Sequence, residues 1–352
     1  MREFNFKETY NKLLTPEIVA LLSEIHELKG EQNVVTSMKA DVLERLIEVA
    51  KIQSTEESNR IEGIVTTVDR IKKLVMEKTT PKNRSEEEIA GYRDVLNTIH
   101  GSFRYISLTP QTILQLHRDL HRHRFGDAGG SFKITDNFIK ETLPDGTEII
   151  RFTPLSAWET PTAIDSLCEN YRQASNEPGI DELLLLPIFI LDFLCIHPFG
   201  DGNGRMSRLL TLLLLYHGGY DIGRYISIEK IIADSKATYY EVLQDSSQGW
   251  PEGENDYLPF SRYLLGVVIA AYRELKSRTA IMENKELSKP DQVREVIKNN
   301  LGTITKTELM EKCPGISQVT IQRALADMLD KEEIIKISGG RYTKYAWNQD
   351  KE

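Results

Sequence analysis

The chain has 352 residues and a formal net charge of −9. That length allows two or three domains with ample core, and the acidic balance argues against a general nucleic-acid coat or a membrane-surface role. The three cysteines, Cys168, Cys195 and Cys313, have no metal-like spacing and read as free thiols of a cytoplasmic protein.

No apolar segment of signal-peptide type follows Met1. The longest apolar run, Leu183 to Ile196, is too short to span a bilayer and contains Asp192, so a soluble protein is expected. Thr15-Pro16-Glu17 is a helix start, followed at helical spacing by Ile18, Leu21, Leu22, Ile25 and Leu28 and closed by Gly30. A second helix is predicted from about Ser37 through Leu43, Leu46, Ile47 and Ala50. Ser54-Thr-Glu-Glu57 after it has the offset of a capping box.

The charged stretch from Ile64 ends in a loop, Thr79 to Arg84. A helix then begins near Ser85 with acids in its first turn, and another follows Leu108-Thr109-Pro110 with Ile113, Leu116, His117 and Leu120. His117, His121 and His123 lack acidic or thiol companions, so they read as a surface helix face rather than a metal site. Gly129-Gly130-Ser131-Phe132-Lys133 breaks the helical pattern. Two β-prone runs, Asn137–Lys140 and Thr147–Phe152, then flank Leu143-Pro144-Asp145-Gly146, a hairpin signal. Pro154 to Asn176 reads as helix with Trp158, Ile164, Leu167 and Tyr171 inward, and Glu182 opens a buried helix.

That buried helix delivers the stretch His197-Pro-Phe-Gly-Asp-Gly-Asn-Gly-Arg-Met-Ser-Arg208, with a second apolar run after it. Gly202, Asn203 and Gly204 allow a nest of backbone N–H groups, and a helix starting near Gly204 adds its positive end. Arg205 and Arg208, three apart, can fork onto phosphate oxygens. Asp201 offers a hard oxygen for Mg²⁺, and His197 titrates near neutrality, so it can take a proton from a hydroxyl. Each residue alone is ordinary turn chemistry; together they describe a polyphosphate site with a base beside it.

These twelve residues resemble the Fic (Fic/Doc-like) motif, H-x-F-x-[D/E]-G-N-G-R-x-x-R, at every fixed position. The resemblance implies transfer of AMP from ATP to a Ser, Thr or Tyr hydroxyl of a target protein, the chain itself included. His197 would be the base, Asp201 the Mg²⁺ ligand, Asn203 and the loop amides the α- and β-phosphate contacts, and Arg205 and Arg208 the outer-phosphate contacts. It also implies an inhibitory segment, because Ser58-Asn59-Arg60-Ile61-Glu62-Gly63 matches [S/T]-x-x-x-E-[G/N]. There Glu62 would pair with Arg208 and obstruct the γ-phosphate, or position water for removal of AMP. The hairpin would be a flap that aligns the target by strand addition, with Ile139, Lys140 and Glu141 in contact. Tyr240, of the pair Tyr239-Tyr240, would line an adenine pocket, although helix aromatics are commonly core.

Gly218-Gly219 ends the helix after the motif. Ile228–Ile232 and Lys236–Leu243 come next, and Trp250 and the Asn255–Tyr257 segment precede a last core helix, Leu258 to Arg278. After a charged linker or helix extension, Glu274 to Pro290, the tail resembles a winged helix. Helices are expected at Gln292–Lys298, Lys306–Lys312 and Gln318–Leu329. Strands are expected at Ile334–Ile337 and Tyr342–Trp347 around a Gly339-Gly340 turn. Gln318, Thr320, Gln322 and Arg323 could read bases, but about eleven basic and ten acidic side chains after Leu287 argue against a DNA face.

The expected architecture is mainly α. It comprises an N-terminal helical region (1–84) carrying the inhibitory motif, a Fic-type helical bundle with a β-hairpin flap (85–278), and a C-terminal winged helix-turn-helix domain (288–352). Alternative functions are a nucleotide-sensing DNA-binding regulator, or a Fic enzyme that uses another nucleotide or removes AMP. A homodimer is left open, and no membrane partner is expected.

Overall fold

A computed structural model describes residues 2–32, 40–126, 129–142, 147–283, 287–298, 300, 302–337 and 343–348. The chain is mainly helical and divides into two compact units, Met1–Gly30 with Ala50–Ala271, and Glu31–Val49 with Tyr272–Glu352. No helix among the described residues is long and apolar enough to cross a membrane.

The first unit is built around α8 (Glu182–Ile196), whose apolar residues lie on every side and which is therefore buried almost throughout. Asp181 caps its start by accepting from the Leu183 amide at 3.0 Å. Packed on α8 are α1 (Phe6–Leu13), α7 (Thr160–Ser175), α9 (Asn203–His217) and α11 (Lys236–Ser247). A second pair, α5 (Arg84–Ser102) and α6 (Pro110–Phe125), closes the bundle, with α5 also against α9. Also in this unit lie α2 (Pro16–Glu31, to Gly30), α4 (Val68–Met76), α10 (Ile228–Asp234), the part of α3 (Ala40–Ile61) from Ala50 and the part of α12 (Leu258–Glu283) up to Ala271. The hairpin pairs β1 (Ile139–Thr142) with β2 (Glu148–Phe152) antiparallel, with an irregularity between Ile139 and Lys140, and β2 lies on α11.

The second unit orders α13 (Lys289–Lys298), β3 (Ile304–Thr305), α14 (Lys306–Lys312), α15 (Gln318–Asp330), β4 (Ile334–Lys336) and β5 (Lys344–Trp347). Its sheet runs β3-β5-β4, all antiparallel, over a core that includes Val293, Ile297, Leu309, Ile321, Leu325 and Ile334.

Several expectations need correction. Ser54 caps no helix: α3 runs through it to Ile61, and its hydroxyl turns inward to Glu229 at 2.6 Å. Trp158 is 87% exposed, because α7 starts only at Thr160, with a proline in its first turn. His117 and His121 are buried rather than on a surface face. Helices α1 and α4 and strand β3 were not expected. The predicted helix start at Ser37, the turn Leu143–Gly146, the Gly339-Gly340 turn and Tyr342 lie outside the described residues.

Candidate active site

The stretch 197–208 joins α8 to α9. His197 ends α8 in the left-handed region (φ 51°), its amide still bonded to the Phe193 carbonyl at 3.0 Å. Gly202 (φ 85°) starts α9, where a Cβ would also lie 2.9 Å from His121 Nε2. Between them the Asn203 side chain braces the loop, accepting from the Phe199 amide (2.9 Å) and donating to its carbonyl (2.7 Å). The Asn203 amide therefore shapes the turn from inside.

His197 Nδ1 lies 3.2 Å from the Leu194 carbonyl, which can only accept, so Nδ1 carries the proton and the Nε2 lone pair is left for another partner. Burial, aided by the nearby Lys133 ammonium and opposed by that carbonyl bond, lowers His197 from 6.5 to about 4. The imidazole is thus neutral at physiological pH, as a base must be.

A cavity of about 360 Å³ opens beside it, a size suited to a small ligand. Its lining joins His197, Gly204 and Arg208 to Tyr239, Tyr240 and Gln244 of α11 and to Ile139 and Phe152 of the hairpin. Arg208 is buried and held by α3: Nε donates to Ser58 Oγ (2.8 Å), and Nη2 donates to the Ser58 carbonyl (2.9 Å) and to Glu62 Oε1 (2.7 Å). The same Oε1 lies 2.3 Å from where a Cβ on Gly204 would stand. The Glu62 carboxylate thus sits at the N-terminus of α9, where helix amides attract an anion. α3 is itself anchored, since buried Glu229 accepts from Ser54 Oγ (2.6 Å) and from Tyr92 Oη (2.9 Å).

The other predicted residues are placed differently. Arg205, 1% exposed, turns away from Arg208 to Glu88 (2.9 Å) and does not line the cavity. Glu88, buried on α5, also holds Arg84 and Arg124, and this carboxylate accounts for the divergence of the two motif arginines. Asp201 keeps a half-exposed carboxylate with Arg205 and Arg124 each at 3.4 Å. Burial raises its pKa, but these arginines, His121 and the Gly202 amide outweigh that and lower it. An ionised, accessible carboxylate fits a Mg²⁺ ion that takes its remaining ligands from phosphates and water; among the described residues no larger ligand cluster surrounds it. Ile139 lines the cavity, whereas the side chains of Lys140 and Glu141 lie outside what is described.

Sequence reasoning missed the supports beneath the loop. His117 stacks on Phe199 (centroids 3.7 Å apart, planes 4° apart), and its Nε2 meets the Asp201 carbonyl at 3.0 Å. His117 and His121 continue the stripe Ile113, Leu116, Leu120, and that spacing was the available signal. Lys133 and Asn137 reach the other side of the loop through its carbonyls. The only hint of their role was a lysine and an asparagine in a short segment after a glycine pair.

Residues 107–215 match the Fic/DOC family. The chain is 26% identical to protein adenylyltransferase Fic of Nematostella vectensis over 232 residues, covering 63% of this chain and 48% of that protein. It is 25% identical to protein adenylyltransferase Fic of Drosophila erecta over 271 residues, covering 74% and 50%. The chain spans about half the length of the curated relatives it matches. The fold is similar to a Fic family protein from Desulfovibrio desulfuricans, with a TM-score of 0.60 at 21% identity over 96% of this chain and 97% of that one. Residues 107–215 are thus a Fic/DOC-type region, and the fold around them is similar to that of Fic proteins of known structure.

Proposed function

We propose that this protein transfers AMP from ATP to a Ser, Thr or Tyr hydroxyl of a target protein and that Glu62 holds the activity back. The observation that carries the reading is one cavity lined by a neutral His197, the amide end of α9 at Gly204, Arg208 and Tyr240.

In this reading His197 Nε2 takes the proton of the acceptor hydroxyl as its oxygen bonds to the α-phosphorus. The α–β phosphoanhydride bond breaks, and pyrophosphate leaves with the electron pair. The α9 amides and the Arg208 guanidinium, fixed in advance, stabilise the charge that develops on the phosphates. Asp201 would hold Mg²⁺, which when bound neutralises phosphate charge. Arg205 acts from behind the loop, setting Asp201 rather than touching phosphate. Tyr240 and Gln244 face the part of the cavity left for the base. Glu62 occupies an anion's place on α9 and engages Arg208, so triphosphate and carboxylate exclude one another.

The C-terminal unit is read as a winged-helix module. Its near-balanced charge favours protein docking over DNA.

The test is incubation of the Glu62→Gly chain with labelled ATP, GTP or UTP and a lysate. Covalent label from ATP on protein, lost in Glu62→Gly/His197→Ala, is expected. Binding of ATP with no label on any protein would overturn the transfer reading.

A further inference from the structure

The carbonyls of Ile196, His197, Pro198 and Phe199 follow one another where α8 has ended and can no longer supply helical donors. Each is caught by one of two residues. Lys133 Nζ donates to Ile196 O (3.0 Å) and the Lys133 amide to Pro198 O (2.8 Å). Asn137 Nδ2 donates to His197 O (3.3 Å) and Phe199 O (3.1 Å). Lys133 Nζ also donates to Asn137 Oδ1 (2.9 Å), so the two side chains form one brace, and Lys133 is buried. Burying an ammonium is costly without such acceptors, and here they are supplied by the turn that carries the histidine.

That turn is strained. His197 sits in the left-handed region, where the Cβ of an L-residue crowds the backbone. The brace also continues into the hairpin, because Asn137 is two residues before Ile139, which begins β1 and lines the cavity. Neither Lys133 nor Asn137 lines the cavity or meets Arg208 or Glu62 through any bond described above.

We propose that Lys133 and Asn137 are positioning residues for the transfer reaction: they hold His197 in its left-handed turn, aim Nε2 into the cavity, and tie that aim to the first strand of the hairpin. This rests on the transfer reading above. It makes the hairpin and the base one mechanical unit, so an acceptor strand laid on β1 meets a base already at fixed distance. Asn203 holds the loop at Phe199 only; the bonds to Ile196, His197 and Pro198 belong to the brace.

The experiment uses the full chain in the Glu62→Gly background with Asn137→Ala, Lys133→Met and Lys133→Arg. Misplacement of a base by a fraction of an ångström to an ångström costs roughly ten- to a hundredfold in rate. That loss in kcat is expected for Asn137→Ala and Lys133→Met, with ATP affinity by calorimetry unchanged and partial recovery in Lys133→Arg. An independent readout is the His197 imidazole NMR signal, assigned by its absence in His197→Ala: sharp in the parent, broadened or doubled in Asn137→Ala. Rate and affinity falling together, or an unmoved signal with an unmoved rate, overturns the proposal. If the parent binds ATP and labels nothing, the transfer reading fails, and the NMR comparison alone decides whether the brace positions His197.

Discussion

Glu62 Oε1 and Arg208 Nη2 meet at 2.7 Å although 146 residues separate them in the chain. The guanidinium keeps two further bonds to Ser58, so withdrawing the carboxylate frees a donor without releasing the fork. A charge-assisted bond of this kind contributes about 1.5–3 kcal/mol. Glu62→Gly is therefore expected to tighten ATP binding by roughly ten- to a hundredfold. Calorimetry on the two chains measures this, and equal affinities would remove Glu62 as an obstacle.

His197→Ala should abolish transfer and leave ATP affinity close to that of the parent, since the contacts proposed for the nucleotide, Gly204, Arg208 and Tyr240, are other residues of the cavity lining. Because burial already lowers His197 to about 4, the transfer rate of Glu62→Gly should stay flat from neutrality down to about pH 5. A rate that halves near pH 6.5 would mean an imidazole with an ordinary pKa.

The anchoring of α3 predicts a distinct effect. Glu229 is fully buried and accepts from Ser54, Tyr92 and Ser227. Ser54→Ala removes a donor from a buried carboxylate, a loss of about 1–3 kcal/mol. The expected outcome is a lower melting temperature together with more self-labelling than the parent, and no added labelling in Glu62→Gly. A fall in melting temperature with unchanged labelling would separate the anchor from Glu62.

Stability should climb with pH between about 4 and 6.5. Burial lowers His100 to about 3 and His117 and His197 to about 4, against 6.5 in the unfolded chain. In that window the unfolded chain binds protons that the folded one refuses, so acid favours unfolding. Asp192, raised by burial from 3.8 to about 6, acts oppositely, as do Glu56 and Glu57, which burial also raises, but His121 is lowered as well and joins the three histidines. Each unmatched proton changes stability by roughly 1.4 kcal/mol per pH unit. Urea midpoints at pH 4.5, 5.5 and 6.5 measure the slope, and a flat or inverted trend contradicts it.

Much of the site was legible because its chemistry is local. His197 to Arg208 is one stretch, its glycines mark the turn, and the apolar runs on both sides identify the helices that hold it. The limits came where burial depends on polar partners. Ser54 to Asn59 reads as a helix end because it is polar throughout, yet Ser54, Thr55, Ser58 and Asn59 are fully buried in α3. Ser54 meets Glu229 and Ser58 meets Arg208, charged groups far away in sequence, so hydrophobic spacing carries no trace of them. Arg205 illustrates the same point: its partner Glu88 lies on another helix, and spacing alone placed it with Arg208. Trp158 erred in the other direction, because size was read as burial past a proline that starts the helix.

The three thiols are all buried, and desolvation pushes Cys168 and Cys313 up to about 12 and Cys195 well above its ordinary value. The thiolate is the form that attacks an alkylating reagent, so at neutral pH the native chain offers almost no reactive sulfur. Iodoacetamide uptake then becomes a clock for transient opening, with Cys195 timing the helix that ends at His197 and Cys313 timing the C-terminal unit. Peptide mapping of the label would read both hands of that clock in one sample.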